Sequence, residues 1–435
     1  MAIPSKQKKG SKLMRLNREQ IEAIKGKLGV DRIWSFSKMS TYTQCTWSYK
    51  LKYIDKLRGK EDSCYTYWGT IAHDIRQGFY DGEYKTNQEM VDKLEKEIAT
   101  YLAEDKKELK FPNENEHNNY FNNLRHYFAN CLHVTVPVTN ERLVLAILQD
   151  EQAKFVFQGY MDSFYTENGK NYILDYKTSS MSGFTGDKLM DKSQQLMIYA
   201  YGLWKQQGIP IDSIVLRFDM MKYCNVRFVQ KNGKEKVTRC ERRGWVAQLS
   251  NQLRKDFEDV PKIIEAIEKK IKTLDKKRSA KCRTELEIEE LTLEIVGLQN
   301  KAKSLRSEVY DVFQINDLIS EAIDDNDLKC LPKFIQDKYK VEECFIDVEL
   351  NEEIINDYIS NMIKTLKLIV SAEEGEHTET FNRPRIEDKE SYFCNNLCDV
   401  RDSCKFYKEY REHNDMFLDK KEETSDDVIL KMLGL

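Results

Sequence analysis

Asn168-Gly169 constrains this chain more than any other pair, because it sits between two runs, 154–166 and 173–178, rich in aromatic and β-branched residues. An Asn-Gly pair in that setting predicts a two-residue β-hairpin, since both residues tolerate positive φ. With these loop residues Glu167 faces Lys170 and, five rungs further, Asp162 faces Asp175. Directly opposed carboxylates weaken a sheet unless something positive bridges them, and a divalent cation is such a bridge. Side chains alternate along a strand, so Lys177 shares the face of Asp175. Two readings stand. One is a surface hairpin with scattered charges. The other is metal-assisted phosphodiester hydrolysis, in which the carboxylates hold a hard cation and the ion makes hydroxide near neutral pH. The lysine then steadies the nucleophile or the developing phosphate charge.

The chain around this hairpin has 435 residues, about three domain equivalents, with 33% charged and 40% hydrophobic residues. That is a globular composition with much solvated helix surface. A net charge of -4 argues against uniform coating of nucleic acid, so a DNA site must be a local basic groove. Lys6, Lys8, Lys9, Lys12, Arg15 and Arg18 in the 1–30 segment are one local source of positive charge, or a solubilising tail. No apolar core follows these charges, and nowhere do about eighteen apolar residues run together. The expectation is a cytoplasmic protein with no membrane contact. No Gly-rich phosphate loop is present, so nucleotide binding is not expected.

Upstream of the hairpin, Ser35 or Ser37 caps a helix that leads to Cys45, and 67–75 reads as a glycine-started helix carrying His73. Taken singly, Cys45 is a small buried hydrophobe or a ligand, and His73 a core histidine or a ligand. Downstream, a helix beginning near Asp191 puts Gln195 and Tyr199 four residues apart on one face. This suits either a polar and aromatic lining for nucleic acid or an aromatic core stripe. Strands are expected at 213–221, 225–230, 234–240 and 343–350.

From 245 to 313 the pattern changes. Leu249, Leu253, Phe257, Val260, Ile264, Ile267, Ile271 and Leu274, then Ile288 through Val312, recur at alternating steps of three and four. This predicts an antiparallel coiled-coil hairpin inserted into the core, either self-packing scaffold or a docking arm for a protein partner. Eleven cysteines in a chain too large to need staples favour thiols or metal ligands over disulfides. Cys394, Cys398 and Cys404 within eleven residues want a fourth thiolate, for zinc or an iron-sulfur cluster.

The order of these elements resembles the RecB-type PD-(D/E)XK nucleases whose nuclease domain is pinned by an iron-sulfur cluster, among them CRISPR-associated, AddB-like and phage exonucleases. The likeness covers most of 31–240 and 375–410. It implies an α/β fold, a central mixed sheet flanked by helices, and a Mg²⁺- or Mn²⁺-dependent DNA exonuclease acting on single strands or DNA ends. It further implies that His73, Asp162 and Asp175 are metal ligands and that Tyr176 adds its backbone carbonyl. Asp162, Asp175 and Lys177 would be catalytic, and Gln195 and Tyr199 would line the DNA path. Cys45 would join Cys394, Cys398 and Cys404 around a [4Fe-4S] cluster, with zinc the alternative occupant. Three residues separate Cys394 from Cys398 where two are commoner, and Thr46 stands where proline is usual. The implied organisation is a basic tail (1–30), a nuclease core (31–244), the coiled-coil insertion (245–313), a C-terminal segment completing core and cluster (314–410), and a tail (411–435). A second expectation, from a different class, is a non-catalytic or weakly catalytic DNA-binding subunit of a recombination, replication or adaptation complex that docks through the coiled coil.

Overall fold

The computed structural model describes residues 15–59, 63–104, 110–230, 232–280, 283–375, 381 and 391–418. The basic residues Lys6 to Lys12, Cys282 and the segment 419–435 lie outside the described residues. The first helices are α1 (Arg18–Leu28), α2 (Phe36–Gln44), α3 (Thr46–Tyr49), α4 (Cys64–Tyr80), α5 (Asn87–Ala103) and α6 (Glu114–Asn130). Then come β1 (Val138–Gln149), β2 (Lys154–Glu167), β3 (Lys170–Lys177), α7 (Asp187–Gln207), β4 (Ile214–Val229) and β5 (Glu235–Glu241). Five helices follow: α8 (Trp245–Glu258), α9 (Val260–Arg278), α10 (Glu285–Arg306), α11 (Val312–Asp325) and α12 (Lys333–Gln336). The chain continues through β6 (Tyr339–Val348), α13 (Glu352–Glu374), α14 (Ser391–Asn396) and α15 (Lys405–Leu418). Two compact units emerge, one from 1–121, 128–221 and 345–435, the other from 122–127 and 222–344. Among the described residues no helix is long and apolar enough to cross a membrane.

In the first unit the expected hairpin forms. Asn168 and Gly169 take φ of 49° and 76°, and β2 pairs antiparallel with β3 from Glu167↔Lys170 to Ser163↔Leu174. β1 pairs antiparallel with β2 along its length. β3 pairs parallel with β4 from Asn171↔Ile214 to Lys177↔Met220, which requires a crossover, and α7 supplies it. The result is a mixed sheet flanked by helices. Gly202 lets α7 lie close on β1, since a Cβ there would stand 2.6 Å from the Leu145 carbonyl oxygen. Arg217 on β4 grips the Asp347 carboxylate on β6 with two hydrogen bonds of 2.6 and 2.7 Å.

Local boundaries differ from the sequence reading where caps override periodicity. Residues 18–28, expected within a tail, are helical because Asn17 and Gln20 close a capping box. The His73 helix begins at Cys64 rather than near Gly69, because Ser63 accepts from the Thr66 N–H; at Gly69 a Cβ would stand 3.4 Å from Thr178 Oγ1. One strand, β4, stands where two were expected.

In the second unit β4 continues and pairs antiparallel with β5 from Tyr223↔Glu241 to Val229↔Glu235. The predicted two-arm hairpin over 245–313 is three helices. Trp245, Leu249, Leu253 and Phe257 of α8 pack into a core with Val226, Phe228, Ile315 and Ile319. A new helix, α9, starts at Val260 with Pro261 in its first turn, where the missing N–H costs nothing. α9 and α10 then pack on each other through Val260, Ile264, Ile267, Ala302 and Leu305, laced by Lys270–Glu294 and Arg306–Glu268 ion pairs.

Candidate active site

β2 and β3 diverge just where their acids stand. The last rung is Ser163↔Leu174, one short of Asp162 and Asp175, and there the Tyr176 N–H turns to the Asp162 carboxylate at 3.2 Å. The same oxygen lies 3.2 Å from His73 Nδ1 on α4. Gln77, one helical turn beyond His73, donates to the Asp162 carbonyl at 3.1 Å and so ties α4 to β2. Lys177 contacts the Asp175 carboxylate, as alternation along β3 requires. Two strands and one helix thus bring His73, Asp162, Asp175 and Lys177 into one cluster.

A buried polar network fixes this frame from below. Ser163 Oγ donates to Asn140 Oδ1 at 2.8 Å and meets Tyr176 Oη at 3.0 Å, while Asn140 Nδ2 donates to the Gln77 carbonyl at 3.0 Å. β1, β2, β3 and α4 are therefore pinned to one another directly behind the acids. Such a satisfied network specifies a single arrangement.

The electrostatics alternate in sign. Burial opposes ionisation of Asp162, yet His73, Lys177 and the Tyr176 N–H hold its carboxyl below the usual range. Asp175 goes the other way, raised by burial and by the Asp162 charge despite Lys177. His73 and Lys177 are disfavoured as cations by burial, but the facing carboxylates raise both above their ordinary values. Two carboxylates whose environments push their proton affinities apart are the arrangement expected of a chemical site. Among the described residues, no three His, Cys, Asp or Glu side chains converge closely enough to ligate one ion. Each acid is instead closed by its cation, Asp162 by His73 and Asp175 by Lys177. The donor set, carboxylates with an imidazole, suits a hard divalent ion once Lys177 yields the Asp175 oxygen.

Sequence reasoning missed Glu141. The β1–β2 ladder pairs Asn140↔Ser163 and Arg142↔Met161 but skips the rung between them, where Glu141 stands opposite Asp162 with φ of 48°. A glutamate in the left-handed region is strained, and such strain collects at functional sites. Burial and the Asp162 charge raise its carboxyl above the usual range, against the pull of Arg15, which lies 4.0 Å away. The sole hint in the sequence was a polar triplet, Asn140-Glu141-Arg142, at the head of an otherwise apolar strand.

Gln195 and Tyr199 of α7 are joined by a 2.6 Å hydrogen bond. Tyr199 is only 4% exposed and its ring lies on Gly159, so its place is in the packing under β2. Burial raises its hydroxyl, with Asp162 and Asp175 adding to the effect.

The cysteines come together elsewhere in the first unit. Cys45 ends α2 and caps α3, accepting the Ser48 N–H at 3.4 Å. Cys45, Cys394, Cys398 and Cys404 line one small cavity walled by Trp47, Leu51, Phe393 and Val400. Burial pushes the Cys398 thiol up to about 11, with the neighbouring Asp399, Cys45 and Cys404 adding to it, and raises Cys404 likewise. Trp47, in the wall of the cavity, carries a buried indole N–H with no hydrogen-bond partner among the described residues.

A family model described as the PD-(D/E)XK nuclease superfamily matches residues 33–284, more than half of the chain, and the chain belongs to that superfamily. The class this defines is a nuclease. The matched range takes in the whole hairpin cluster, α7 and β4, and runs on through α8 and α9. No curated protein and no solved structure matches the chain.

Proposed function

We propose that the chain is a cytoplasmic, Mg²⁺- or Mn²⁺-dependent DNA exonuclease of the RecB type, of phage or bacterial kind, cutting single strands or DNA ends. The convergence of His73, Asp162, Asp175 and Lys177 from α4, β2 and β3 carries this reading. Asp162, Asp175, His73 and the Tyr176 carbonyl would hold the ion. When bound, it lowers the pKa of water and polarises the phosphate. Lys177, released from Asp175, steadies the nucleophile or the developing charge. Gln195 lines the DNA path and Tyr199 holds Gln195 in place, while Arg15, beside Glu141, meets a phosphate oxygen.

Four thiols lining one cavity support a [4Fe-4S] cluster as the occupant, with zinc the alternative, and the Trp47 indole N–H in the wall, without a partner among the described residues, would donate to a bound sulfur in either case. Cys45, Cys394, Cys398 and Cys404 would hold it and tie the segment around residue 45 to that around residue 400. Anaerobically purified protein should be brown with visible charge-transfer absorption; colourless protein with stoichiometric zinc would count against iron.

The decisive assay is cleavage of end-labelled single- and double-stranded DNA with Mg²⁺, Mn²⁺ or EDTA. Asp175→Ala and Lys177→Ala should each abolish divalent-dependent cleavage while leaving the fold intact. Undiminished cleavage by either purified variant sinks the assignment.

A second reading, a weakly catalytic DNA-binding subunit docking through its helical arm, draws on the exposed Leu286 and Leu293 of α10. The arm to remove is 260–306, since α8 belongs to the core of its unit. Loss of a partner with cleavage retained supports a docking role.

A further inference from the structure

α10 is apolar on two opposite sides. At about 100° per residue, Ile295, Leu298, Ala302 and Leu305 fall on one face, and this face packs on α9. Leu286, Glu289, Leu293, Val296, Asn300 and Lys303 follow one another at steps of three and four on the other face. Leu286 is 72% exposed, Leu293 68% and Val296 45%. This second face is a short heptad seam with nothing against it among the described residues.

The charges along the seam say what covers it. The hairpin's own ion pairs use Glu294 and Arg306. Glu289 and Glu290 in the first half of α10, and Lys301 and Lys303 in the second, are exposed and enter no ion pair among the described residues. A second α10 laid parallel would stack Glu289 on Glu289 and Lys303 on Lys303, which is repulsive. Laid antiparallel, each acidic half faces a basic half. With the pair centred between Leu293 and Val296, Leu293 meets the partner's Val296, and Glu289 falls beside the partner's Asn300 and the partner's Lys303. The contact is isologous, so it closes as a twofold dimer. A polar Asn at a seam position fixes register, and Gly297, with open space around it, lets the backbones approach.

We propose that the chain self-associates through antiparallel pairing of the exposed face of α10 with the same face of a second copy. This names the partner of the helical arm and rests on no part of the nuclease reading, so failure of the cleavage assay leaves it untouched.

Sedimentation velocity of the full chain over a concentration series tests it. The wild type should shift from monomer to dimer mass as concentration rises, and Leu293→Glu should stay monomeric with an unchanged circular dichroism spectrum. Glu289→Lys/Glu290→Lys and Lys301→Glu/Lys303→Glu should each lose the dimer, since each makes both facing halves alike. Mixing the two charge variants should restore it, because each half then meets its opposite. A wild type that stays monomeric overturns the proposal and leaves the stripe to a different protein. Undiminished dimer in Leu293→Glu, or no restoration on mixing, overturns it equally.

Discussion

Gly159→Ala measures how tightly Tyr199 is seated beneath the site. The new Cβ would stand 2.2 Å from Tyr199 Cε1 and 2.7 Å from its hydroxyl oxygen, far inside the roughly 3.5–4.0 Å of normal contact. The ring has little room to swing away, being 4% exposed and held by Gln195 at 2.6 Å. Overpacking of this kind costs about 1–3 kcal/mol, and breaking the Gln195–Tyr199 bond adds about 1 kcal/mol. The variant should therefore lose roughly 2–4 kcal/mol. Tyr199→Ala alone empties a buried aromatic site, at about 3–5 kcal/mol. In the double variant neither the clash nor the Gln195–Tyr199 bond remains to be lost, so the loss should fall short of the sum by about 2–4 kcal/mol. Urea unfolding followed by tryptophan fluorescence is the assay, because Trp34, Trp47, Trp68 and Trp204 lie in the first unit and only Trp245 in the second. Asp162 follows Gly159 on β2 by three residues, so calorimetric Mn²⁺ affinity should weaken as well. A Gly159→Ala protein within about 0.5 kcal/mol of wild type, or strictly additive losses, would refute the reasoning.

Glu141→Gly should raise the melting temperature while weakening divalent-ion binding, since glycine relieves about 1 kcal/mol of left-handed strain but removes a carboxylate; lowered stability would contradict the strain. His133 accepts from Arg76 at 2.7 Å and contacts Asn87 Oδ1 at 2.6 Å, and burial, then Arg76, lower it to about 4. The unfolded chain binds that proton near 6.5, so its contribution is full above about pH 6.5 and is lost as pH falls toward 4, about 1 kcal/mol after allowing for partial exposure. Melting curves at about pH 7 and pH 5 should show this slope in wild type and less of it in His133→Asn. In the second unit, Arg242→Met removes the guanidinium paired with the buried Glu343 carboxylate and should cost about 3–5 kcal/mol by chemical denaturation. Arg242→Met/Glu343→Leu should recover most of that; a double variant as unstable as the single would show that other contacts dominate.

The hairpin was legible because its turn is local chemistry: Asn168 and Gly169 are the residues that accept positive φ, and register follows from loop length. The order of strands and helices followed from periodicity. Glu141 was not legible, because a strand pairing 21 residues long in sequence, from Glu141 to Asp162, brings it to the site, and no local pattern announces a skipped rung. The three-four spacing read α8 and α9 as one arm because an apolar stripe looks the same whichever surface covers it; Pro261 was the residue that separated them. Helix starts slipped where Asn17 and Ser63 supplied caps that outranked the apolar pattern. Tyr199 illustrates a different limit. Spacing places it on a face with Gln195, but only the bare backbone of Gly159, on another element, reveals that the ring is buried.

The cysteine-lined cavity also has a schedule. Cys404 follows Cys45 by 359 residues, so at roughly 5–20 residues per second the last wall leaves the ribosome about 20–70 s after the first. During that interval Cys45 is a lone thiol with an incomplete neighbourhood. A group held by all four thiols, as proposed above, could be loaded only once translation has passed residue 404, which would separate maturation of this cavity in time from the folding of the hairpin.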